Sequence, residues 1–208
     1  NWTVLTAAGV DAPPLFDGRL LYYGDRQANL YCTDVTQIAN GAPTPVWTLD
    51  LGLDNVLCHA APPVFAGTGL YLPLWTFGSG QTSISLVNVV PDGSAAGTLY
   101  TVTLSTALAA GDFVPARPIC AMLPAFGPVN SSTMGVWVNA GVAIYGFSLG
   151  EQATEMFTLP GSARYSSGLA YQDGTLWVGT DNGQLCSYNT LNPNGPITPF
   201  VLPAPSAV

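Results

Sequence analysis

The chain contains a single histidine, His59, and this limits the catalytic chemistry open to its side chains. A Ser-His-Asp or Cys-His nucleophilic system would have to use that one imidazole as its base. The neighbouring thiol of Cys58 would point to the opposite face of an extended segment, so the two are poorly placed as nucleophile and base. The chain has no lysine, which excludes a Schiff base or a lysine general base. We therefore interpret His59 as a polar loop residue and predict no catalytic residue.

Residues that bind metal ions or cofactors are sparse. One histidine excludes the usual multi-histidine zinc and copper sites, and no Asp-x-Asp-x-Asp calcium loop occurs. Oxygen ligands could come from Asp181-Asn182-Gly183 or from Asp50 with Asp54, but turn formation and solvation explain these residues more simply. The remaining acidic residues reveal no carboxylate pair for glycan cleavage. We predict no metal site and no cofactor.

Four cysteines are present, at Cys32, Cys58, Cys120 and Cys186. No Cys-x-x-Cys occurs, which excludes thioredoxin-like redox chemistry and zinc ribbons. Three disulfide pairings are possible, and the alternative is that all four are small buried apolar side chains. We favour disulfides, because the low charge, the absence of lysine and the even cysteine count indicate a secreted, extracellular or periplasmic protein.

Two further groups of residues could carry sugar chemistry. Asn1-Trp2-Thr3 and Asn130-Ser131-Ser132 are glycosylation sequons, which makes Asn1 and Asn130 candidate sites. The chain also has five Trp, nine Tyr and eight Phe, and exposed aromatic rings can stack on sugars. Packing between strands is the simpler interpretation for any one aromatic residue.

Composition bounds the class of protein. Apolar residues make up 48% of the 208 residues and charged residues only 8%, which excludes disorder. The net charge of −8 argues against nucleic acid and against anionic membrane surfaces as partners. No apolar stretch approaches the roughly 18 residues of a membrane helix, so we predict no membrane insertion. The chain begins at Asn1 without a Met, and we expect a processed mature chain or an excised domain.

A repeat provides the framework for these residues. Phe16–Gly24 followed by Asn29–Asp34 matches Tyr171–Gly179 followed by Gln184–Asn189: an aromatic residue, Asp-Gly, an aromatic-rich strand ending in Gly, and a second strand. Asp-Gly supplies the positive φ that a tight hairpin needs. Weaker copies begin near Phe65 and Phe126. Trp137 and Trp177 fall at the same strand position, which predicts packing between neighbouring sheets.

Each copy is followed by a candidate outer strand. The four candidates are Val46–Leu49, Leu99–Leu104, Met156–Leu159 and Phe200–Leu202, and Trp2–Leu5 at the N-terminus is a fifth. Three inner strands and one outer strand, repeated at about 40 to 50 residues, are typical of β-propeller blades.

The stretches Gly168–Asn189 and Leu15–Leu51 resemble repeats of the pyrroloquinoline-quinone-type β-propeller family. Repeats of that family pair a Gly-x-Leu-Tyr-Ala-Leu-Asp-like strand with a Trp-containing outer strand ending in Gly, here Leu30–Asp34 with Val46–Gly52. The resemblance implies the fold, and it does not imply the quinone cofactor, because many members are non-enzymatic scaffolds or binding proteins.

These patterns predict an all-β protein with one propeller domain over 1–208. Its four antiparallel, four-stranded blades would span about 10–52, 57–105, 115–160 and 164–203, as a small ring or as part of a larger propeller. The unmatched strand Trp2–Leu5 favours the second arrangement. Cys58 and Cys120 fall just before the innermost strands of the second and third copies, which makes Cys58–Cys120 the favoured disulfide.

We interpret the chain as a non-enzymatic recognition or assembly module with a protein partner or self-association. Loops carry function in such folds, and the longest irregular stretches, 37–45, 76–81, 106–118 and 127–133, are the candidate contact surface. One alternative is a carbohydrate-binding, lectin-like propeller, which exposed aromatic residues would favour. The other is a quinoprotein or glycan-cleaving enzyme, which would need cationic and calcium-binding groups or paired carboxylates.

Overall fold

The computed structural model describes residues 3–10, 12–39, 41–52, 57–60, 62–66, 68–78, 81–103, 119–123, 133–140, 143–149, 154–158, 164–189 and 198–201. Within these ranges the chain forms only β-strands, turns and extended segments. The strands form four antiparallel sheets, each built from strands that are consecutive in the sequence. The predicted all-β fold with about four antiparallel blades is confirmed.

Blade 1 pairs its strands in chain order, and these are β1 (Leu15–Phe16), β2 (Leu20–Gly24), β3 (Asn29–Ala39) and β4 (Ala42–Asp50). The turn between β1 and β2 is the predicted Asp17-Gly18. The Asp17 Oδ1 atom accepts hydrogen bonds from the backbone N–H groups of Arg19 and Leu20 at 2.9 and 2.6 Å. A short polar side chain that satisfies the backbone in this way stabilises the turn.

Blade 2 has the same strand order, but its innermost strand is divided. Two short strands pair with different parts of the next one, so that the sheet contains β5 (Leu57–Ala60), β6 (Val64–Ala66), β7 (Gly69–Gly78), β8 (Gln81–Val89) and β9 (Ala96–Thr103). Pro62 and Pro63 lie between β5 and β6. Because proline has no N–H to donate, it interrupts the ladder at this point.

Blades 3 and 4 repeat the four-strand order. Blade 3 contains β10 (Ile119–Leu123), β11 (Thr133–Ala140), β12 (Ala143–Ser148) and β13 (Thr154–Thr158). Blade 4 contains β14 (Tyr165–Gln172), β15 (Thr175–Thr180), β16 (Gln184–Asn189) and β17 (Thr198–Val201). The turn before β15 has φ values of 49° at Asp173 and 78° at Gly174. Positive φ at both positions is what the Asp-Gly pair predicts.

The four blades group into two compact units, residues 1–118 and 119–208. In the first unit, Tyr22 and Leu30 of blade 1 share a core with Leu72 and Val87 of blade 2. The Tyr22 and Phe65 rings pack edge to face, with their centroids 5.4 Å apart. We call the side of a blade that faces the next blade in the chain its forward face, and in blade 1 it carries Tyr22.

In the second unit, the forward face of blade 3 packs on blade 4. Trp137 and Ile144 of blade 3 join Leu176, Val178 and Tyr188 of blade 4 in one buried core. The amide of Asn139 also donates a hydrogen bond to the Ser167 carbonyl oxygen across this boundary at 3.1 Å. Leu176 and Val178 alternate along β15 with Trp177, which therefore lies on the opposite face of blade 4 from the core shared with blade 3.

Blades 1 and 2 are also joined near their outer strands by Trp47 of β4. The indole Nε1–H donates to the Pro91 carbonyl oxygen at 3.1 Å. The ring lies against the backbone of Gly93, where an added Cβ would be 2.4 Å from the Trp47 Cγ atom. Gly93 also has a positive φ of 78°. Both facts favour glycine at this position, in the turn between β8 and β9.

The N-terminal segment does not form the predicted outer strand, because residues 3–5 are in no strand and Trp2 lies outside the described residues. The backbone of this segment bonds instead to the turn after β2. The N–H of Ala7 donates to the Tyr31 hydroxyl at 2.9 Å, and the N–H of Ala8 donates to Asp25 at 3.2 Å. The Gly9 carbonyl oxygen accepts from the Arg26 N–H at 3.0 Å.

Across the described ranges, no helix is long and apolar enough to cross a membrane. The prediction that 1–208 forms a single propeller domain stays a prediction.

Candidate functional site

His59 lies in a strand, and the prediction of a loop position was wrong. It belongs to β5, where its Cα register partner is Trp75 of β7. Pro62 and Pro63, which follow closely, favoured a loop in the sequence analysis, whereas the strand ladder of β5 extends over His59. Its side chain lies outside the described part of the structure.

The residues considered as oxygen ligands for a metal ion instead stabilise turns through hydrogen bonds. The Asp181 Oδ1 atom accepts from the Arg164 N–H at 3.0 Å, and the Asn182 Oδ1 atom accepts from the Thr180 hydroxyl at 2.5 Å. Asp50 accepts from the Gly52 N–H at 2.8 Å, and Asp54 lies outside the described residues. In the described ranges, no group of three or more His, Cys, Asp or Glu side chains is arranged to hold a metal ion.

Three of the cysteines carry buried free thiols, namely Cys32, Cys58 and Cys186. The Cys58 thiol donates to the Arg26 carbonyl oxygen at 3.1 Å, so it links blade 2 to the turn after β2 in blade 1. Cys58 and Cys120 lie within the innermost strands β5 and β10, whereas the sequence placed them just before these strands. The side chain of Cys120 is outside the described residues, and with the Cys58 thiol free the structure does not show the favoured Cys58–Cys120 disulfide.

The three buried thiols are expected to resist alkylation at neutral pH until the chain is unfolded. Burial raises the pKa of Cys32 and of Cys58 to about 11, and it also raises the pKa of Cys186, so little thiolate is present. Iodoacetamide labelling at neutral pH, read by mass spectrometry before and after adding denaturant without reductant, measures this. Labelling that stays absent in denaturant would instead indicate disulfides.

The sequons at Asn1 and Asn130 lie outside the described residues, as do the predicted contact stretches 106–118 and 127–132. The other two predicted loops are largely strand. Residues 37–39 and 42–45 belong to β3 and β4, and residues 76–78 and 81 belong to β7 and β8. In both places the hairpin strands continue, because Thr, Ile and Phe side chains fit an extended backbone despite the neighbouring Gly and Pro residues.

The extension in blade 1 projects beyond the neighbouring strand, and we call residues 35–45 the arm. β2 begins at Leu20, opposite Asp34, so the arm strands pair with each other and not with β2. The register shifts between Asp34 and Ile38, which is a bulge. Bulges bend a strand and redirect its side chains, and they occur frequently beside functional sites.

An ion pair fixes the base of the arm. The guanidinium of Arg19 donates to the Asp34 Oδ2 atom at 2.8 Å from Nε and 2.6 Å from Nη2. The Thr36 N–H and hydroxyl donate to the Asp34 Oδ1 atom at 2.9 and 2.6 Å. The hydrogen bond from Arg19 and those from Thr36 lower the pKa of Asp34 well below its usual range. The sequence analysis missed this pair, because Arg19 meets Asp34 only through the β2–β3 register, which pairs Leu20 with Asp34 and is set by the turn at residues 25–28.

The arm carries apolar residues in an uncharged surface. Ile38 is 54% exposed, and Val46, the residue that follows the arm, is also exposed. No residue from 35 to 45 is charged. Among the described residues, Ile38 and Ala39 of β3 have register partners only in β4, and an edge of this kind can pair with another chain.

An open cavity with a volume of about 490 Å³ lies between blades 1 and 2. One wall is the end of β4 with Leu49 and Leu51, and the other is formed by Leu74, Ser85 and Thr101 of blade 2. The Ser85 and Thr101 hydroxyls already bond to each other at 3.0 Å. The lining mixes apolar and hydroxyl side chains, and Asp50 is the one titratable residue among those that line it, with its carboxylate accepting from the Gly52 N–H.

Solved structures of β-propeller proteins have a similar fold. BamB from Moraxella catarrhalis gives a TM-score of 0.53 at 16% identity, over 94% of this chain and 54% of BamB. Quinohemoprotein alcohol dehydrogenase from Comamonas testosteroni gives a TM-score of 0.50 at 12% identity, over 93% of this chain and 35% of the enzyme. A protein of unknown function from Bacteroides caccae gives 0.50 at 11%, over 90% and 59%.

The chain thus spans between about a third and three fifths of the length of these proteins. No protein-family model matches the chain, and no curated protein sequence matches it. At these identities the likeness establishes the fold, and membership of the pyrroloquinoline-quinone-type family stays a prediction. The four sheets are β-propeller blades.

Proposed function

We propose that the chain is a non-enzymatic recognition module of an extracellular or periplasmic protein assembly. The arm is the observation that carries this proposal, because the Arg19–Asp34–Thr36 contacts hold it in place and it presents the exposed side chain of Ile38. An apolar side chain on a fixed, uncharged support resembles the buried anchors of protein interfaces. The few charges and the absence of lysine support a location outside the cytoplasm.

A protein partner fits the arm better than a charged or sugar ligand does. The arm has no charged side chain with which to select an ionic ligand. Aromatic rings, on which sugars stack, are also absent from residues 35–45. Recognition would therefore depend on apolar contact and on backbone groups, which extended polypeptides supply.

A displayed peptide library, panned against the purified chain, tests this function. We expect enriched peptides whose Kd is weakened at least about 10-fold by Ile38→Asp, since the change places a charge in an apolar contact. Val90→Asp is the matched control, because Val90 is an exposed valine in a turn of blade 2. It should leave the Kd unchanged, as measured by fluorescence anisotropy.

Two results would contradict the proposal. One is a set of enriched peptides that bind the Ile38→Asp and Val90→Asp variants equally well. The other is a glycan array that yields a ligand while the peptide library yields none, which would favour the lectin-like alternative.

A further inference from the structure

The strand register shows which backbone groups of the arm point to its open edge. In the β3–β4 ladder, Ile38 pairs with Pro43 and Ala39 pairs with Ala42. Neighbouring pairs of an antiparallel ladder alternate between pairs that exchange two N–H···O bonds and pairs that exchange none. Pro43 has no N–H, so its pair with Ile38 cannot be an exchanging pair. The exchanging pair is therefore Ala39 with Ala42, and the N–H and C=O groups of Ile38 point away from β4.

Two further observations agree with this orientation. Gln37 precedes Ile38, so its carbonyl group should face β4, and it accepts a hydrogen bond from the Thr44 hydroxyl of β4 at 3.1 Å. Gly41 has a φ of 80°, as the turn of a two-residue hairpin requires, and the residues that flank such a turn form the exchanging pair.

The backbone donors that precede Ile38 along β3 are already used. The Val35 N–H donates to the Arg19 carbonyl oxygen of blade 1 at 3.1 Å, and the Thr36 N–H donates to Asp34 at 2.9 Å. In the part of the chain that the structure describes, no strand lies in register with Ile38 on this side of β3. One donor and one acceptor on a single residue are thus presented together at the edge of the arm.

We propose that an extended segment of the partner protein binds by adding a strand to this edge, with one of its residues exchanging both backbone hydrogen bonds with Ile38. This rests on the proposed function of the arm and names how the partner binds there. Strand addition is a recurring mode of peptide recognition, in which main-chain hydrogen bonds supply affinity. An extended segment offers an N–H and a C=O on one residue, whereas the backbone groups of a helix are bonded within the helix.

The side chain of Ile38 sets which segments fit. The residue that exchanges bonds with Ile38 has its side chain on the same face of the sheet, next to that of Ile38. Ile38 is 54% exposed and no residue of the arm is charged, so an apolar β-branched or aromatic residue fits at this position of the partner. Proline does not fit there, because it has no N–H to donate to the Ile38 carbonyl oxygen.

An N-methyl scan of the bound peptide tests the pairing from the side of the ligand. The probe is the tightest binder from the displayed library, synthesised with a fluorescein label. N-methylation of the residue opposite Ile38 should weaken the Kd by about 10-fold or more, since it removes a hydrogen bond and places a methyl group in the interface. The residues on either side of it should tolerate the methyl group, because their N–H groups face away. A scan without such a position would overturn the proposal.

Two variants test the pairing from the side of the protein. Ile38→Ala and Ile38→Pro both shorten the side chain, but only proline removes the N–H. Proline is tolerated at an edge position whose N–H faces outwards, so the hairpin should persist. We expect the proline variant to bind the peptide about 5-fold more weakly than the alanine variant does, the scale of one lost hydrogen bond. Equal Kd values for the two variants would overturn the pairing.

Amide hydrogen exchange of the unmodified chain, followed by NMR, gives a readout that needs no substitution. The Ile38 N–H should exchange quickly in the free chain and at least about 10-fold more slowly in the complex, because it gains an acceptor. The Val35 N–H already has an acceptor and is the internal control. Unchanged exchange at Ile38 in a complex that Ile38→Asp weakens would contradict only the strand pairing, and the recognition function of the arm would stand.

Two other outcomes identify different failures. Enriched peptides that bind Ile38→Asp as tightly as the unmodified chain would contradict the proposed function and the pairing with it. A second copy of the chain could also use this edge, although the net charge of −8 opposes the approach of two copies. A sedimentation mass above 21.6 kDa that Ile38→Pro returns to the monomer value would overturn the partner segment in favour of a second copy.

Discussion

Replacement of Asp25 by alanine is expected to lower the free energy of unfolding of the first unit by about 4 kcal/mol. The Asp25 carboxylate is buried, and three backbone N–H groups donate to it, from Ala8, Gln27 and Asn29, at 2.9 to 3.2 Å. The Asn29 amide and the Tyr31 hydroxyl add side-chain donors, the latter at 2.8 Å. Alanine would leave these donors without their acceptor in a site that water reaches poorly.

Asp50→Ala is the matched control for this change. Asp50 is exposed and accepts one hydrogen bond from a backbone N–H two residues ahead, so its loss should cost less than about 1 kcal/mol. Denaturant titration followed by tryptophan fluorescence measures both variants, because Trp47 and Trp75 lie in the first unit. Equal midpoints for the two variants would show that the contacts of Asp25 contribute little.

Gly93→Ala is expected to destabilise the first unit by about 3 kcal/mol. The positive φ of 78° costs an alanine roughly 1 to 2 kcal/mol. A Cβ placed 2.4 Å from the Trp47 Cγ atom adds an overpacking cost of about 1 to 3 kcal/mol, because the ring is held by its bond to the Pro91 carbonyl oxygen. Thermal unfolding of the variant, monitored by circular dichroism, provides the measurement.

Gly41→Ala separates the two costs. Gly41 has almost the same φ, 80°, and no heavy atom lies within 4 Å of the position of an added Cβ. Its replacement should therefore show only the backbone cost. In a Trp47→Ala background, Gly93→Ala should fall to the same value as Gly41→Ala. If the two glycine variants are equally unstable with Trp47 present, the ring does not press on Gly93.

The parts of the fold that could be predicted are those fixed by local chemistry. Asp-Gly before an aromatic-rich strand requires a tight hairpin, and the φ values at Asp173 and Gly174 agree. The repeated position of Trp137 and Trp177 indicated packing between blades, which holds for Trp137. Trp177 is 37% exposed, because a repeated strand position does not determine what covers the ring.

The candidate site was harder to predict because it depends on where strands end. Gly41 and Pro43 indicated a loop, whereas β3 and β4 continue on both sides of it, held by the Asp34 contacts with Arg19 and Thr36. These side chains are distant in the sequence and meet only once the register is set. The N-terminal strand was predicted from the likeness of Trp2–Leu5 to the outer-strand segments of the repeats. Its place is decided instead by Asp25 and Tyr31, more than 15 residues further along the chain.

The carboxylate of Asp25 also shows how copies of a repeat can diverge without losing a shared turn. Thr180 occupies the same place in blade 4, and its hydroxyl accepts from the Gln184 N–H at 3.0 Å as Asp25 accepts from the Asn29 N–H. One acceptor oxygen is enough to close the turn, and the second oxygen of Asp25 is left to hold the N-terminal segment. A designer who made the blades uniform by placing threonine at position 25 would keep the hairpin but remove the acceptor of the Ala8 N–H, one of three bonds that hold the segment before it. Blade 1 therefore carries a contact that blade 4 would not supply in a consensus array, even though the two share the same strand pattern.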